Sequence, residues 1–298
     1  MTNTKQQRLW ILLGALAPIC WGISGVLGKA LFDFPHMTPI FLTQLRMIIG
    51  GCVILLISLL LHHNIFAVWR NKYMLLQLIA YSLIGLIPNQ LCYFLAIDYG
   101  DASIATILQF VGPFFIMIYM AIVHHQMPRR IEIICALVAF AGVVIVATNG
   151  KLTHLTINIG VLFFGLLSAV GVLTCTVIPR SLLSEYNTLE ISGWGLLLAG
   201  IFLAVIHPHI PSISLDVINV TDIFAVIIIG TVIPFLIYNN ALRHIEPTIV
   251  SLLDAFEPVI ATIGSVVFLK LTISTADIIG SLLIILAVIG LNFQPEEN

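Results

Sequence analysis

The chain consists almost entirely of long apolar runs, and this pattern limits its fold more than any other feature of the sequence. A helix that crosses a bilayer needs about 20 mainly apolar residues. In lipid every backbone polar group must be satisfied within the protein, so such runs predict membrane-spanning α-helices. Ten runs fit this description: Trp10–Leu31, Ile40–Leu61, Met74–Ile97, Ser103–Val123, Ile131–Ala147, Ile159–Ile178, Ile191–Ile206, Ile223–Leu242, Thr248–Leu269 and Ala276–Leu291.

The composition excludes a soluble globular protein. Of the 298 residues, 60% are hydrophobic and 9% are charged, whereas a soluble domain has about 25% charged residues. The twelve Lys and Arg residues form no basic block, so no nucleic-acid partner is expected. The five cysteines lie inside apolar runs without metal-site spacing, and we interpret them as small core residues.

The positive-inside rule predicts the orientation. Lys5 and Arg8 precede an apolar run that contains the cleavage-like triplet Ala15-Leu16-Ala17, but the run continues to Leu31, so we expect a retained spanning helix rather than a signal peptide. With the N-terminus inside, eight Lys and Arg residues lie in cytoplasmic segments and three in outer segments. Both termini are therefore predicted to be cytoplasmic, in a multi-pass protein of the plasma membrane of a bacterium.

The two halves of the chain repeat each other. At a constant offset of 145 residues, Gly85 matches Gly230, Tyr93 matches Tyr238, and Pro113 matches Pro258. Each half has an odd number of predicted spans, five, so two copies in one chain must be inverted. The sequence thus predicts an all-α membrane protein of ten transmembrane helices, with inverted five-helix repeats at residues 1–150 and 151–298. In transporters of this kind the substrate site lies near the midplane between the repeats.

Several short motifs resemble a known family. They are Ala241-Leu242-Arg243-His244-Ile245-Glu246-Pro247, Ser251-Leu252-Leu253, Phe256-Glu257-Pro258-Val259, Gly112-Pro113-Phe114, Trp21-Gly22 and Arg46. Together they resemble the EamA-type transporters of the drug/metabolite transporter superfamily. The resemblance implies export of amino acids or related metabolites. Many members carry Gly-Glu where this chain has His124-His125 and Leu269-Lys270, so the resemblance identifies the superfamily rather than a substrate.

Two carboxylates are the strongest candidates for a site. Glu257 is predicted to lie about 13.5 Å into its span, where a charge is costly and the side chain cannot reach water. Asp254 lies three residues earlier, on nearly the same helix face. Glu257 either binds a cation or a coupling proton, or it satisfies the backbone broken by Pro258. The repeat counterparts, Gln109 and Gly112, are not acidic.

The remaining candidates are polar or aromatic residues within predicted spans. Arg46 either takes part in the site, pairing with an acid, or holds helices together. The amides and phenols either orient a polar ligand or bond helices to each other, and the tryptophan lies on a small-residue face that favours close packing. These candidates are Trp21, Tyr93, Tyr238, Asn89, Gln90, Asn239, Asn240 and Gln109.

These features predict a secondary-type transporter that exports or exchanges a small polar metabolite by alternating access. Its expected partners are the substrate, membrane lipid and, as a candidate coupling ion, protons; no cofactor, metal or catalytic residue is expected. With two acids and one base at depth, a zwitterionic, cationic or neutral substrate is favoured over a phosphate. A membrane-embedded enzyme would need clustered catalytic residues, and a non-transporting scaffold is the other alternative; neither is favoured by any motif.

Overall fold

All regular structure in the described part of the chain is helical. The computed structural model describes residues 4–34, 36–123, 125, 130–148, 158–211, 217–245, 250, 253–254 and 256–292. Within these residues no strand is present. The helix is the conformation in which an apolar segment satisfies its own N–H and C=O groups without water, so the fold follows directly from the apolar runs.

Within the described residues, seven helices are long and apolar enough to cross a membrane. Helices are numbered in chain order, and α5, α9 and α10 are the shorter ones described below. The seven long helices are α1 (Leu9–Phe32), α2 (Pro39–Leu60), α3 (Lys72–Tyr99), α4 (Ala102–Val123), α6 (Ile159–Glu185), α7 (Thr188–Ile206) and α8 (Val220–His244). Three further helices contain shorter apolar stretches in the described residues: α5 (Arg130–Thr148), α9 (Phe256–Leu269) and α10 (Thr275–Asn292). The predicted all-helical class is confirmed, and the number of spans stays a prediction.

Some helix ends differ from the predicted ones. We expected the sixth run to end at Ile178, but α6 continues through Pro179 to Glu185. A proline is tolerated there because it begins a new helical segment, whose first N–H groups need no partner within that segment. The third helix begins at Lys72 because the Asn71 side chain accepts hydrogen bonds from the backbone beyond it. The predicted start of the ninth span, Thr248, lies outside the described residues.

The fourth and ninth helical regions are interrupted at equivalent places. Helix α4 has a turn at residues 110–111 between segments Ala102–Gln109 and Gly112–Val123. In the second half, a turn at Asp254 precedes Phe256–Leu269. Pro113 and Pro258 explain both turns, since a proline removes one N–H and clashes with the carbonyl four residues earlier. The freed Asp254 carbonyl accepts from the Glu257 N–H at 2.9 Å instead.

Helices α3 and α8 contain wider, π-helical turns. These turns cover Tyr81–Leu86 and Pro88–Cys92 in α3, and Ile228–Val232 in α8. The repeat-related Gly85 and Gly230 both lie within them. A π-helical turn inserts one extra residue into the helix, and such insertions are frequent at functional sites. They also rotate the side chains that follow relative to an ideal α-helix.

Helices of the two halves pack against each other rather than forming separate bundles. Helix α2 packs on α7, α5 packs on α10, and α1 packs on α8 and α9. In the corresponding way, α6 packs on α3 and α4. Glycines permit the closest approaches. A Cβ on Gly51 of α2 would lie 2.6 Å from the backbone nitrogen of Leu197 in α7. A Cβ on Gly22 of α1 would lie 2.8 Å from the backbone carbonyl oxygen of Glu257.

Candidate functional site

A cavity lies between the packed helices, where the interrupted regions meet. The space between its wall atoms, including the part that is open to the outside, is about 710 Å³. Helices α1, α2, α3, α4, α6, α8 and α9 contribute to its walls. Ten of the eleven residues that the sequence suggested line it: Trp21, Arg46, Asn89, Gln90, Tyr93, Gln109, Tyr238, Asn239, Asp254 and Glu257.

Asn240 is the exception. It follows the cavity-lining Asn239 in α8, and successive side chains on a helix point in different directions. Its Oδ1 accepts from the Thr188 hydroxyl at 3.1 Å, and its Nδ2 donates to the Leu236 carbonyl at 2.8 Å. Of the two alternatives considered for this amide, helix-to-helix bonding is the one that the geometry shows.

Arg46 is buried at 2% exposure and is bonded to neutral groups. Its Nε donates to Thr231 Oγ1 at 3.0 Å, and its Nη2 donates to Gly230 O at 3.2 Å and to Gln90 Oε1. The guanidinium carbon lies 4.6 Å from the centre of the Phe94 ring. Arg46 forms no ion pair with any part of the chain that the structure describes, so the predicted pairing with an acid is not seen. The side chain instead joins the π-helical turns of α3 and α8.

The two carboxylates both reach the cavity. Asp254 and Glu257 are each 8% exposed and lie at the turn that begins α9. The Glu257 carboxyl is close enough to interact with Tyr93 and Arg46, while Asp254 is close enough to interact with Tyr238 and with Glu257 itself. A carboxylate in the first turn of a helix also faces the positive end of the helix dipole. The acids therefore occupy neighbouring but different parts of the wall.

Four buried polar atoms around the cavity lack a hydrogen-bond partner among the described residues. They are Trp21 Nε1, Ser24 Oγ, Asn239 Oδ1 and Asp254 Oδ1. Burying a polar group without a partner is costly, and most buried polar groups in proteins are bonded. Such a cluster around one cavity indicates a place where a polar solute or water completes the bonding.

An aromatic cluster forms the wall beside Asp254. The Trp21 ring centre lies 5.5 Å from that of Phe235 and 5.2 Å from that of Tyr238. The Tyr238 hydroxyl shares a hydrogen bond of 2.9 Å with Thr176 of α6. Trp21 is near the middle of α1, so this cluster is deep in the protein.

The sequence did not single out several lining residues as candidates for the site. Phe235, Tyr81 and Cys175 also line the cavity. Phe235 and Cys175 are apolar residues within apolar runs, so the sequence pattern could not distinguish them from lipid-facing or core residues. Tyr81 could have been found by one weak signal. Like Tyr93, it places a phenol inside a predicted span. Within the described residues, no group of three or more His, Cys, Asp or Glu side chains is arranged to hold a metal ion.

Fold and site together define an integral multi-pass membrane protein that surrounds a cavity lined by aromatic and buried polar side chains. The model of the EamA-like transporter family matches residues 8–148 and again residues 158–293. The chain belongs to the EamA-like transporter family, and it is a membrane transporter.

Similar proteins agree with this assignment. The chain is 28% identical over 299 residues to "Uncharacterized inner membrane transporter YicL" of Salmonella typhimurium, covering 100% of this chain and 99% of that protein. It is 24% identical over 285 residues to "Uncharacterized transporter" of Archaeoglobus fulgidus, covering 94% and 97%. A solved crystal structure shares the fold, with a TM-score of 0.72 at 19% identity, covering 95% of this chain and 96% of the other.

Proposed function

We propose that this protein is a secondary-type transporter that exports or exchanges a small polar metabolite, such as an amino acid or organic cation, by alternating access. The observation that carries this proposal is the central cavity, whose wall combines helices from both halves with four buried polar atoms that have no hydrogen-bond partner among the described residues. A site built from both halves can change its opening when the halves move relative to each other.

The proposed architecture is ten spans in two inverted units, residues 1–150 and 151–298, with both termini in the cytoplasm of a bacterial cell. Two separate matches to the family model support the duplication. The reciprocal packing supports it as well, since α1 packs on α8 and α9 just as α6 packs on α3 and α4. The interrupted regions at Pro113 and Pro258 are the points where each unit is least constrained by its own helical hydrogen bonds.

Proton exchange and facilitated diffusion are both compatible with this site. Glu257 is the proposed coupling residue because its carboxyl is buried, lines the cavity and interacts with Arg46 and Tyr93. A carboxyl that alternately meets the two aqueous sides can carry one proton per cycle. The substrate and the proton would then bind to the same cavity, so that each changes the affinity for the other.

Reconstituted proteoliposomes test the transport proposal. Solutes are first screened by thermal shift against amino acids, polyamines, quaternary amines and nucleosides, because a ligand at a hundredfold excess over its Kd adds about 2.7 kcal/mol. A solute that binds is then loaded into vesicles, and its flux is followed with and without a pH gradient. If the purified protein moves none of the solutes that bind it, the transport proposal is wrong.

Glu257→Gln tests the coupling role, since it keeps the shape and removes the charge. We expect flux driven by a pH gradient to be lost, while exchange of substrate for substrate is better preserved because it needs no net proton movement. The matched control is Glu190→Gln. Glu190 is also a buried carboxyl, at 2% exposure, but it accepts from the Val68 N–H at 2.7 Å and does not line the cavity. Full gradient-driven flux in Glu257→Gln would assign Glu257 a structural role.

A further inference from the structure

We propose that the cavity contains a subsite for a primary ammonium group, formed by Trp21, Phe235, Tyr238, Asn239 and Asp254, which distinguishes N–H-bearing cations from quaternary ones. This inference rests on the proposed function, because it names the chemistry of the solute at the same site. The five residues come from α1, α8 and the turn before α9, and all line the cavity.

The acid of the subsite is Asp254. Its side chain is 8% exposed, and its Oδ1 has no hydrogen-bond partner among the described residues. Arg46, the base of the cavity, makes its hydrogen bonds to Thr231, Gly230 and Gln90, and its electrostatic partner among the acids is Glu257. Asp254 is thus the acid with which a cationic solute is best placed to pair, and the bound cation would hold its carboxyl ionised.

The aromatic rings make this part of the wall suitable for a cation. Trp21 lies within 5.5 Å of both Phe235 and Tyr238, measured between ring centres. A cation over an aromatic face gains about 0.5–1 kcal/mol when exposed and about 2 kcal/mol or more when desolvated. This attraction alone would accept primary and quaternary ammonium groups equally.

The unpartnered acceptors give the selectivity. Asn239 is 1% exposed, and its Nδ2 donates to Ser192 Oγ at 2.7 Å and to Tyr81 OH at 3.5 Å. Asn239 Oδ1 has no partner among the residues that the structure describes, and neither has Asp254 Oδ1. A primary ammonium offers three N–H donors and can satisfy both oxygens. A trimethylammonium offers none and would leave two buried acceptors unpaired, which lowers affinity.

Matched pairs of ligands test this selectivity by isothermal titration of the purified protein. The pairs are ethanolamine and choline, glycine and its N-trimethyl derivative, and putrescine and its bis(trimethylammonium) analogue. We expect at least one primary member to bind, and its methylated partner to bind about tenfold more weakly or worse, since a hydrogen bond to a charged group contributes at least that factor.

Variants assign the selectivity to these residues. Asp254→Asn should weaken both members of a pair, since both are cations. Asn239→Ala should reduce the ratio between them, because the methylated ligand then leaves one fewer acceptor unpaired. Asn240→Ala is the matched control: this neighbouring amide does not line the cavity, and the ratio should stay unchanged. If Asn239→Ala does not fold, Asn239→Asp keeps an acceptor oxygen and should keep the preference.

The outcomes separate this inference from the transport proposal. The ammonium subsite is refuted if no amine of either kind binds, if the methylated members bind as tightly, or if the ratio survives in Asn239→Ala. Flux of another solute through wild-type protein would leave the transport proposal standing in each of those cases. Selective binding of a primary amine without any flux would support the subsite and refute transport.

Discussion

Replacing Arg46 by lysine should destabilise the protein strongly although the positive charge is kept. The guanidinium donates to Thr231 Oγ1, Gly230 O and Gln90 Oε1 from one planar group. Lysine carries a single ammonium on a flexible stem and cannot reproduce the planar arrangement of these three hydrogen bonds. We therefore expect the fold to lose a connection between α2, α3 and α8, rather than only a charge.

The size of the effect follows from the acceptors left behind. If the lysine ammonium satisfies one of the three acceptors, two remain buried without a donor. Each unsatisfied buried acceptor costs about 1–3 kcal/mol, so the free energy of unfolding should fall by about 2–6 kcal/mol. Loss of the guanidinium face above the Phe94 ring, 4.6 Å away, acts in the same direction.

Thermal unfolding of the purified protein in detergent measures this effect. The matched control is Arg243→Lys, since Arg243 is exposed and makes a single bond of 3.2 Å to Thr188 Oγ1. That variant should stay within about 0.5 kcal/mol of wild type, as surface substitutions usually do. If Arg46→Lys unfolds at the wild-type temperature but no longer binds ligand, Arg46 contacts the substrate, and our interpretation of it as a connection between helices is wrong.

Two further predictions concern packing and topology. Gly51→Ala should lower the unfolding temperature and the free energy of unfolding, the latter by about 1–3 kcal/mol, because the new Cβ meets the backbone nitrogen of Leu197 at 2.6 Å. Gly50→Ala is the control and should lower the free energy of unfolding less, because the nearest atoms to its new Cβ belong to side chains, the first at 3.0 Å. The reverse order would contradict the packing of α2 on α7. For topology, a cysteine at Asn64 should react with a membrane-impermeant reagent only from the cytoplasm, and one at Lys270 only from outside. Labelling of both from one side would refute the inverted arrangement.

Under the proposed duplication, we expect the two halves to supply similar backbone turns to the cavity but different charges. Gln109 and Asp254 are repeat-related, and both line the cavity next to the interrupted regions. The counterpart of Glu257 is Gly112. Two similar units thus supply similar backbone turns, but only the second supplies acids there. We expect a solute in this cavity to meet a neutral wall from α4 and an acidic wall from α9, and therefore to take a preferred orientation.

Some features followed from the sequence because they depend on local chemistry. A continuous apolar run of about 20 residues predicts a helix in lipid, since a helix satisfies its backbone with hydrogen bonds within the segment. Pro113 and Pro258 interrupt their helices wherever those helices pack, because the missing N–H and the steric clash belong to the residue itself. For these reasons the all-helical class and most residues of the cavity wall could be named in advance.

Only the tertiary structure decided which polar side chains meet. Asn239 and Asn240 are indistinguishable in sequence, yet one lines the cavity and the other bonds α8 to Thr188. The π-helical turns in α3 and α8 rotate the residues beyond them, so facing directions cannot be counted at 3.6 residues per turn. Arg46 likewise meets Gly230 of the other half, because contacts between distant segments depend on how helices cross, and packing of the whole molecule sets those crossings.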